Sequence, residues 1–358
     1  MPILFLFLVS CEQNSLKVDV SAVDVELQSR RFDKALFGKT ENWPAKSKKL
    51  QSEYGEFYVN LTQMIPNLGD PKDPAHYNYL QSFAENEAIL SIQSKIEEQF
   101  PNLEQEDEML ESAFKYYKYY FPKKSIPEII YFNSAINASP LVNDNQMGIA
   151  LDLFLGAEFG MYQELGFPKY LSKRMIADHL ATNSLRGWLI SEFPKPSSEN
   201  LLSDMIYEGK VLYLMDALFP DLADSTKIEY SKIELEWCES FEASIWAHMV
   251  ENELLYETEM VERLKFLNDG PFTSGMAKES PSRVGKWLGW QIVRSFMTNK
   301  ELSIKELVAL NDAQEILRKS ALILMKIKFQ KRWNGLQVMP IKEELPMRFC
   351  FPFGIKRN

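Results

Sequence analysis

Apolar positions three and four apart run through most of this chain, which is the period of an amphipathic helix. Between Glu106 and Tyr120, the residues Leu110, Phe114 and Tyr117 share one face with Phe121 just beyond, and Pro122 stops the pattern. The same spacing predicts several helices between residues 40 and 125. It predicts one helix over 171–190 and another over 201–219, with Pro194 and Pro196 between them. Ile233, Trp237, Phe241, Ile245 and His248 then repeat along a long helix, and a turn is expected at Asn268-Asp269-Gly270-Pro271. Helices over 284–297 and 303–319 follow. The second opens on Ser303 and Glu306, a capping box in which hydroxyl and carboxylate satisfy orphan backbone donors.

Strand signals are fewer. Val18, Val20, Val23, Val25 and Leu27 alternate imperfectly and predict a short extended segment. Residues 126–133 are rich in β-branched and aromatic side chains and predict a strand, and the apolar run 147–156 (MGIALDLFLG) predicts a second. No repeat or low-complexity segment interrupts this. The expected fold is mostly α, of the α+β class: a single helical domain with a small central sheet over residues 18–320. Gly209 lies inside a helix, where glycine costs about 1 kcal/mol against alanine, and Gly285 and Gly289 stand one turn apart on another. Both features predict close approach by a neighbouring element.

The N-terminus changes the picture. Residues 3–9 form an unbroken apolar run, and Leu8-Val9-Ser10-Cys11 has the form of a bacterial lipobox. Seven apolar residues are too few to span a bilayer as a helix. No Lys or Arg precedes them, a departure from the usual signal peptide. The reading is a lipoprotein signal peptide over 1–10, cleaved so that Cys11 becomes the acylated first residue of a tether over 11–17. Acyl burial contributes about 0.8 kcal/mol per CH₂, and stable anchoring takes more than one chain.

Charge and composition narrow the function. At 46% apolar residues a full core is expected. The net charge of −10 argues against nucleic acid as a partner. Residues 321–358 hold eight basic and two acidic side chains, a net +6, which leaves −16 for the rest. That atypical basic tail carries Pro340, Pro346 and Pro352 amid aromatics with no period, and reads either as an appendage or as the product of a shifted frame. Besides Cys11 there are Cys238 and Cys350, too few for a disulfide framework. Only His76, His179 and His248 supply imidazoles.

His179-Leu180-Ala181-Thr182-Asn183 lies on the helix predicted over 171–190. In an H-E-x-x-H helix two histidines grip zinc and the glutamate polarises a water. Here Leu180 stands in place of the base and Asn183 in place of the second histidine, so the frame is degenerate. Glu208, in Tyr207-Glu208-Gly209-Lys210, stands where a third ligand would. The plainer alternative is that His179 and Asn183 are ordinary helix residues and that Glu208 belongs to a structural ion pair, with Arg186 as one cation for it. Among the rest there is no G-x-S-x-G, P-loop, C-x-x-C or G-x-G-x-x-G after a strand.

Several blocks in order resemble the GldB family of gliding motility lipoproteins of the Bacteroidetes. They are the lipobox at Cys11, Arg31-Phe32-Asp33 with Leu36-Phe37, residues 148–156, Met205 to Lys210, and Glu253-Leu254-Leu255-Tyr256. The most specific runs from Gly270-Pro271-Phe272-Thr273 through Glu279-Ser280-Pro281 and Arg283-Val284-Gly285 to Gly289-Trp290-Gln291-Ile292-Val293. The family in turn resembles predicted zincin-type peptidases that keep H-E-x-x-H and an E-G motif, which Glu208-Gly209 matches. The resemblance implies a zincin-like but degenerate fold and a non-enzymatic, lipid-anchored protein of the cell envelope, on a periplasmic or outer-membrane face. It implies partners in the gliding apparatus, with no metal and no cofactor. His179, Asn183 and Glu208 would be its vestigial site. Two alternatives stay open: an active secreted zinc metallopeptidase recruiting His248, and a lipoprotein binding a glycan or small molecule through Trp188, Trp237, Trp246, Trp287 and Trp290.

Overall fold

The computed structural model describes residues 14–65, 68–137, 140–197 and 199–320. Cys11, the signal-peptide assignment and the basic tail over 321–358 lie outside the described residues.

A four-stranded sheet divides two apolar cores. Its strands are β1 (Ser29–Arg31), β2 (Glu128–Phe132), β3 (Leu141–Val142) and β4 (Gln146–Ala150), in the order β1-β2-β4-β3. β1, β2 and β4 are parallel, with Ile130 opposite Gly148, and β3 closes the far edge antiparallel to β4. Alternation along β2 serves both faces. Ile129 and Tyr131 enter the larger core, while Ile130 and Phe132 enter the smaller one. This is why 126–133 reads as a nearly continuous apolar run: a parallel sheet covered on both sides has no wet face.

The smaller core lies under α1 (Phe32–Phe37), α2 (Trp43–Met64) and α3 (His76–Ala84), with Phe32, Phe57 and Phe132 stacked edge to face. A side chain at Gly148 would strike the Phe57 ring, so glycine there lets α2 lie against the sheet. The larger core collects α4 (Glu87–Gln99), α5 (Glu104–Tyr120), α6 (Gly160–Glu164), α8 (Leu180–Glu192), α9 (Leu201–Leu218), α10 (Asp224–Ile228), α11 (Lys232–Glu251), α12 (Met260–Leu267), α13 (Val284–Thr298), α14 (Ile304–Ala309) and α15 (Ala313–Lys319), while α7 (Lys169–Ser172) lies between α6 and α8 along the chain. Among the described residues no helix is long and apolar enough to cross a membrane.

α9 is the axis of this core: of its eighteen residues only Ser203 and Glu208 are not buried. Its closest neighbour is α13. A methyl group on Gly209 would overlap the backbone of Gly289, and one on Gly289 would overlap the backbone of Met205. Gly209 and Gly289 therefore face each other, and their absent side chains bring two helix backbones into contact, whereas Gly285 lets α13 approach Phe266 and Leu267 of α12.

Four sequence expectations differ from what is observed. Residues 18–27 form no strand. Val18, Val20, Val23, Val25 and Leu27 all pack on the larger core, and β1 lies just after them. The run 147–156 is a strand only to Ala150 and then turns through a 3-10 turn, Leu151–Leu153, because Asp152 is drawn inward to bond the Ser134 and Ile136 backbone. The helix expected over 303–319 breaks at Leu310, and Asp312 caps a new one through the Glu315 amide. The helix expected over 171–190 is three pieces: α7, a 3-10 turn at Ala177–His179, and α8. His179 is thus the N-cap of α8 rather than an interior residue.

Candidate functional site: a buried ion cluster between α8, α9 and α13

The break before α8 aims its first turns at a buried carboxylate. Asn183 and Arg186 follow His179 at helical spacing, so the three share one side. The Asn183 amide donates to Glu229 Oε1 at 2.8 Å. Arg186 Nη2 lies 3.9 Å from the same oxygen. The His179 Nδ1 is 3.1 Å from the Arg174 carbonyl. A carbonyl only accepts, so that contact places the proton on Nδ1.

Glu229 is the hub and is 4% exposed. It follows α10 in the left-handed region at φ 58°, which is uncommon for a side chain of its size. Arg174 and Arg283 each place Nη1 3.9 Å from its Oε2. Burial alone would push the carboxyl up. Arg186 and Arg283, with the Asn183 amide and His179, outweigh this and hold Glu229 below the usual glutamate range. Asp269 is held low in the same way, against burial, by Arg283 and Arg174. Arg174 Nη1 donates to it at 2.7 Å, and Arg283 Nε stands 3.1 Å away in an ion pair without a hydrogen bond.

Glu208 reaches the cluster from α9. Lys286, on α13, lies 3.1 Å from its Oε2 and is its direct partner, rather than Arg186. Burial pulls the Lys286 ammonium below its ordinary value, with Glu208 opposing. Arg186 still senses Glu208. Burial lowers its pKa, but Glu229, Glu208 and Asp269 together hold it above the ordinary value. The sequence-picked His179, Asn183 and Glu208 therefore do converge, through Arg186 and Glu229. His248, on α11, does not join them; it meets Asn252 just past that helix and Phe266 on α12.

Arg283 is delivered by the loop that carries the most specific sequence block. Thr273 Oγ1 donates to the Pro281 carbonyl at 2.7 Å and accepts from the Val284 amide at 3.3 Å, pinning both ends together. Arg283 stands at φ 63° with 2% exposure, donating Nη2 to the carbonyls of Ile228 and Glu229. Its guanidinium lies 5.2 Å from the Tyr230 ring, and the Tyr230 hydroxyl donates to the Ser282 carbonyl. Glu229, Arg174 and Lys286 have no role in the sequence reading, and no periodic signal marks the first two. Arg283 stands in the sequence only within its block.

Four cations (Arg174, Arg186, Arg283, Lys286) meet three carboxylates (Glu208, Glu229, Asp269) here. Arg174 Nε, Arg186 Nη1, Arg283 Nε and Arg283 Nη1 are buried without a hydrogen-bond partner among the described residues. Zinc takes imidazole, thiolate and carboxylate in a tetrahedron. These residues do not fit it: Asn183 offers an amide, Glu208 is held by an ammonium, and three guanidiniums surround the remaining carboxylates. Among the described residues no group of three His, Cys, Asp or Glu is placed to hold a metal. Of the tryptophans considered for ligand stacking, Trp188, Trp246, Trp287 and Trp290 are buried core residues.

Fold and site together define a mostly helical α+β protein built around an ion cluster at the contact of three helices. The profile of the gliding motility protein GldB matches residues 13–322, and the chain belongs to that family. No curated protein and no solved structure matches it.

Proposed function

We propose that this chain is a lipid-anchored, non-catalytic component of the gliding machinery, whose ion cluster is a peptidase-like frame given over to structural or binding use. Membership of the GldB family supports the gliding role, and the lipobox at Cys11 supports the anchor. The observation that carries the non-catalytic reading is the commitment of both inward glutamates: Glu208 to Lys286, and Glu229 to Asn183 and three guanidiniums. Glu229, held below the usual glutamate range by its cations, is a poor general base, and Glu208 is occupied by an ammonium.

The test uses the full chain purified from its envelope fraction, with zinc content and peptide hydrolysis measured together. Substoichiometric zinc and no cleavage are expected. Stoichiometric zinc with cleavage that Glu208→Gln abolishes would overturn the reading in favour of a metallopeptidase. Anchoring is tested in a deletion strain: wild type restores colony spreading, whereas Cys11→Ala loses acyl labelling and membrane retention and fails to restore it. Normal spreading without the gene would remove the motility role.

A further inference from the structure

Two residues past Glu208 the helix turns through about 200°, and Lys210 faces away from the ion cluster. Its ammonium donates to the Leu310 carbonyl at the end of α14. The residue is 9% exposed and has no carboxylate within ion-pair distance among the described residues. Burial without a counter-ion pulls its pKa down to about 8. An ammonium has three donors, and the carbonyl uses one.

Lys210 lines a cavity of about 340 Å³ between α9, the segment after α8, and the α14–α15 connection. Ile206, Val211, Leu214, Val308 and Ala313 line it as apolar wall. The other ionisable groups on it are engaged. Glu192 receives Lys124 at 2.8 Å and the Tyr117 hydroxyl at 2.9 Å, Lys195 pairs with Asp204, and the Tyr207 hydroxyl donates to the Phe193 carbonyl. A buried cation left unpaired is expensive. At the wall of a cavity that is part apolar and part polar, it is also the complement of a carboxylate with an apolar tail.

We propose that this cavity binds small monocarboxylates, with the carboxylate supplying the missing counter-ion beside Lys210 and the alkyl chain lying along the α9 wall. The volume stands at the small end of ligand sites, which run about 300–1,000 Å³. It suits a chain of several carbons rather than a diacyl lipid. The site lies on the far side of α9 from Glu208, so the assignment is independent of the metal question.

The test is calorimetric titration of the full chain with octanoate and with octanol at neutral pH. Octanoate should bind at least about tenfold more tightly, a difference of about 1.4 kcal/mol. That advantage should disappear as the pH rises past the Lys210 titration, and Tyr207, pushed up to about 12 by burial, does not titrate in that range. Lys210→Met should abolish the preference while Lys210→Arg keeps it; the wild-type pH series reads the same quantity if either variant misfolds. Equal binding of the two probes, no binding of either, or a preference unmoved by pH would overturn the proposal and leave Lys210 as a cap for α14.

Discussion

Two buried ion clusters flank α13, built from the same residue types, and they are finished to different degrees. In the first, Arg294 donates to Asp216 at 2.6 and 2.7 Å and to Asp224 at 2.5 and 2.9 Å. Lys227 and the Trp290 indole complete Asp216 at 3.0 and 2.8 Å. Two cations meet two carboxylates, and the Arg294 guanidinium lies 3.7 Å over the Trp290 ring. Burial opposes the charge on both partners. The hydrogen bonds win, holding Asp224 below and Arg294 above their ordinary values. In the second cluster the three guanidiniums stand 3.9 Å from Glu229, donors are unmet, and both Glu229 and Arg283 occupy left-handed backbone. Left-handed backbone at a residue other than glycine costs of order 1–3 kcal/mol and persists where the surroundings impose it. Polar contacts beyond 3.5 Å invite bridging water or a ligand. The first cluster is a closed lock, and the second leaves donors unmet and its pairs wide.

The largest expected effect comes from opening the lock. Asp216→Asn leaves Arg294 and Lys227 buried with too little negative charge, a change that costs about 3–5 kcal/mol. It should show as a lowered denaturation midpoint with an unchanged slope. A loss under about 1 kcal/mol would mean that the two clusters do not differ as argued. Next is Gly289→Ala. The added methyl group meets the Met205 backbone, which cannot rotate away, so α9 and α13 must separate at a cost of about 3 kcal/mol. Because α13 carries Lys286 as well as Arg294, thermal unfolding of this variant should show both clusters weakened together.

That helix contact was legible beforehand, since a glycine inside one helix and a glycine pair on another both ask for a close neighbour. α9, α11 and β2 were legible for the same kind of reason: long apolar periods, or a run too apolar for a half-wet strand. β1 and β3 are three and two residues long, shorter than any period can reveal. The break inside 171–190 carries neither glycine nor proline. The break inside 303–319 did leave a signal, Asp312 three residues before Glu315, which the apolar period hid. At the site, His179, Asn183 and Glu208 could be picked out because they hold motif positions on helices. Their partners could not, because Arg174 and Glu229 stand in connecting segments where only the tertiary fold brings charges together.

Glu229→Gln sharpens the comparison from the other side. The amide keeps an oxygen for Asn183 but removes the charge that balances the guanidiniums, at a cost of about 2–3 kcal/mol. Added sulfate should recover part of this loss, because Arg174, Arg186 and Arg283 carry donors without a partner among the described residues, and should recover less of the loss in Asp216→Asn, where Arg294 keeps both bonds to Asp224. Glu229 has a folded-state pKa below its unfolded value. Its contribution is therefore complete above the unfolded glutamate value, near 4.3, and is lost as the pH falls through the folded one. The gap between wild type and variant should close in acid. Equal sulfate response in the two variants would erase the distinction between an open and a closed cluster.

Lys210 extends the series to a buried cation with no carboxylate within ion-pair distance among the described residues, and the sign of its effect reverses. Its folded-state pKa is pulled from 10.5 to about 8. The folded chain therefore holds fewer protons than the unfolded chain between those values. The cost is fully present below the folded value and is relieved as the pH climbs toward the unfolded one. A shift of that size corresponds to roughly 3 kcal/mol. The hydrogen bond to the Leu310 carbonyl offsets about 1 kcal/mol of it, so Lys210→Met should stabilise the fold by about 2 kcal/mol at pH 7. The difference from wild type, measured by urea unfolding at successive pH values, should shrink between pH 8 and 10 and reverse slightly once the lysine is neutral in both states. Because the buried tyrosines are common to both chains, their titration drops out of the difference. A destabilised Lys210→Met at pH 7 would mean that the Leu310 contact outweighs the burial, and that a structural cap alone keeps this lysine in place.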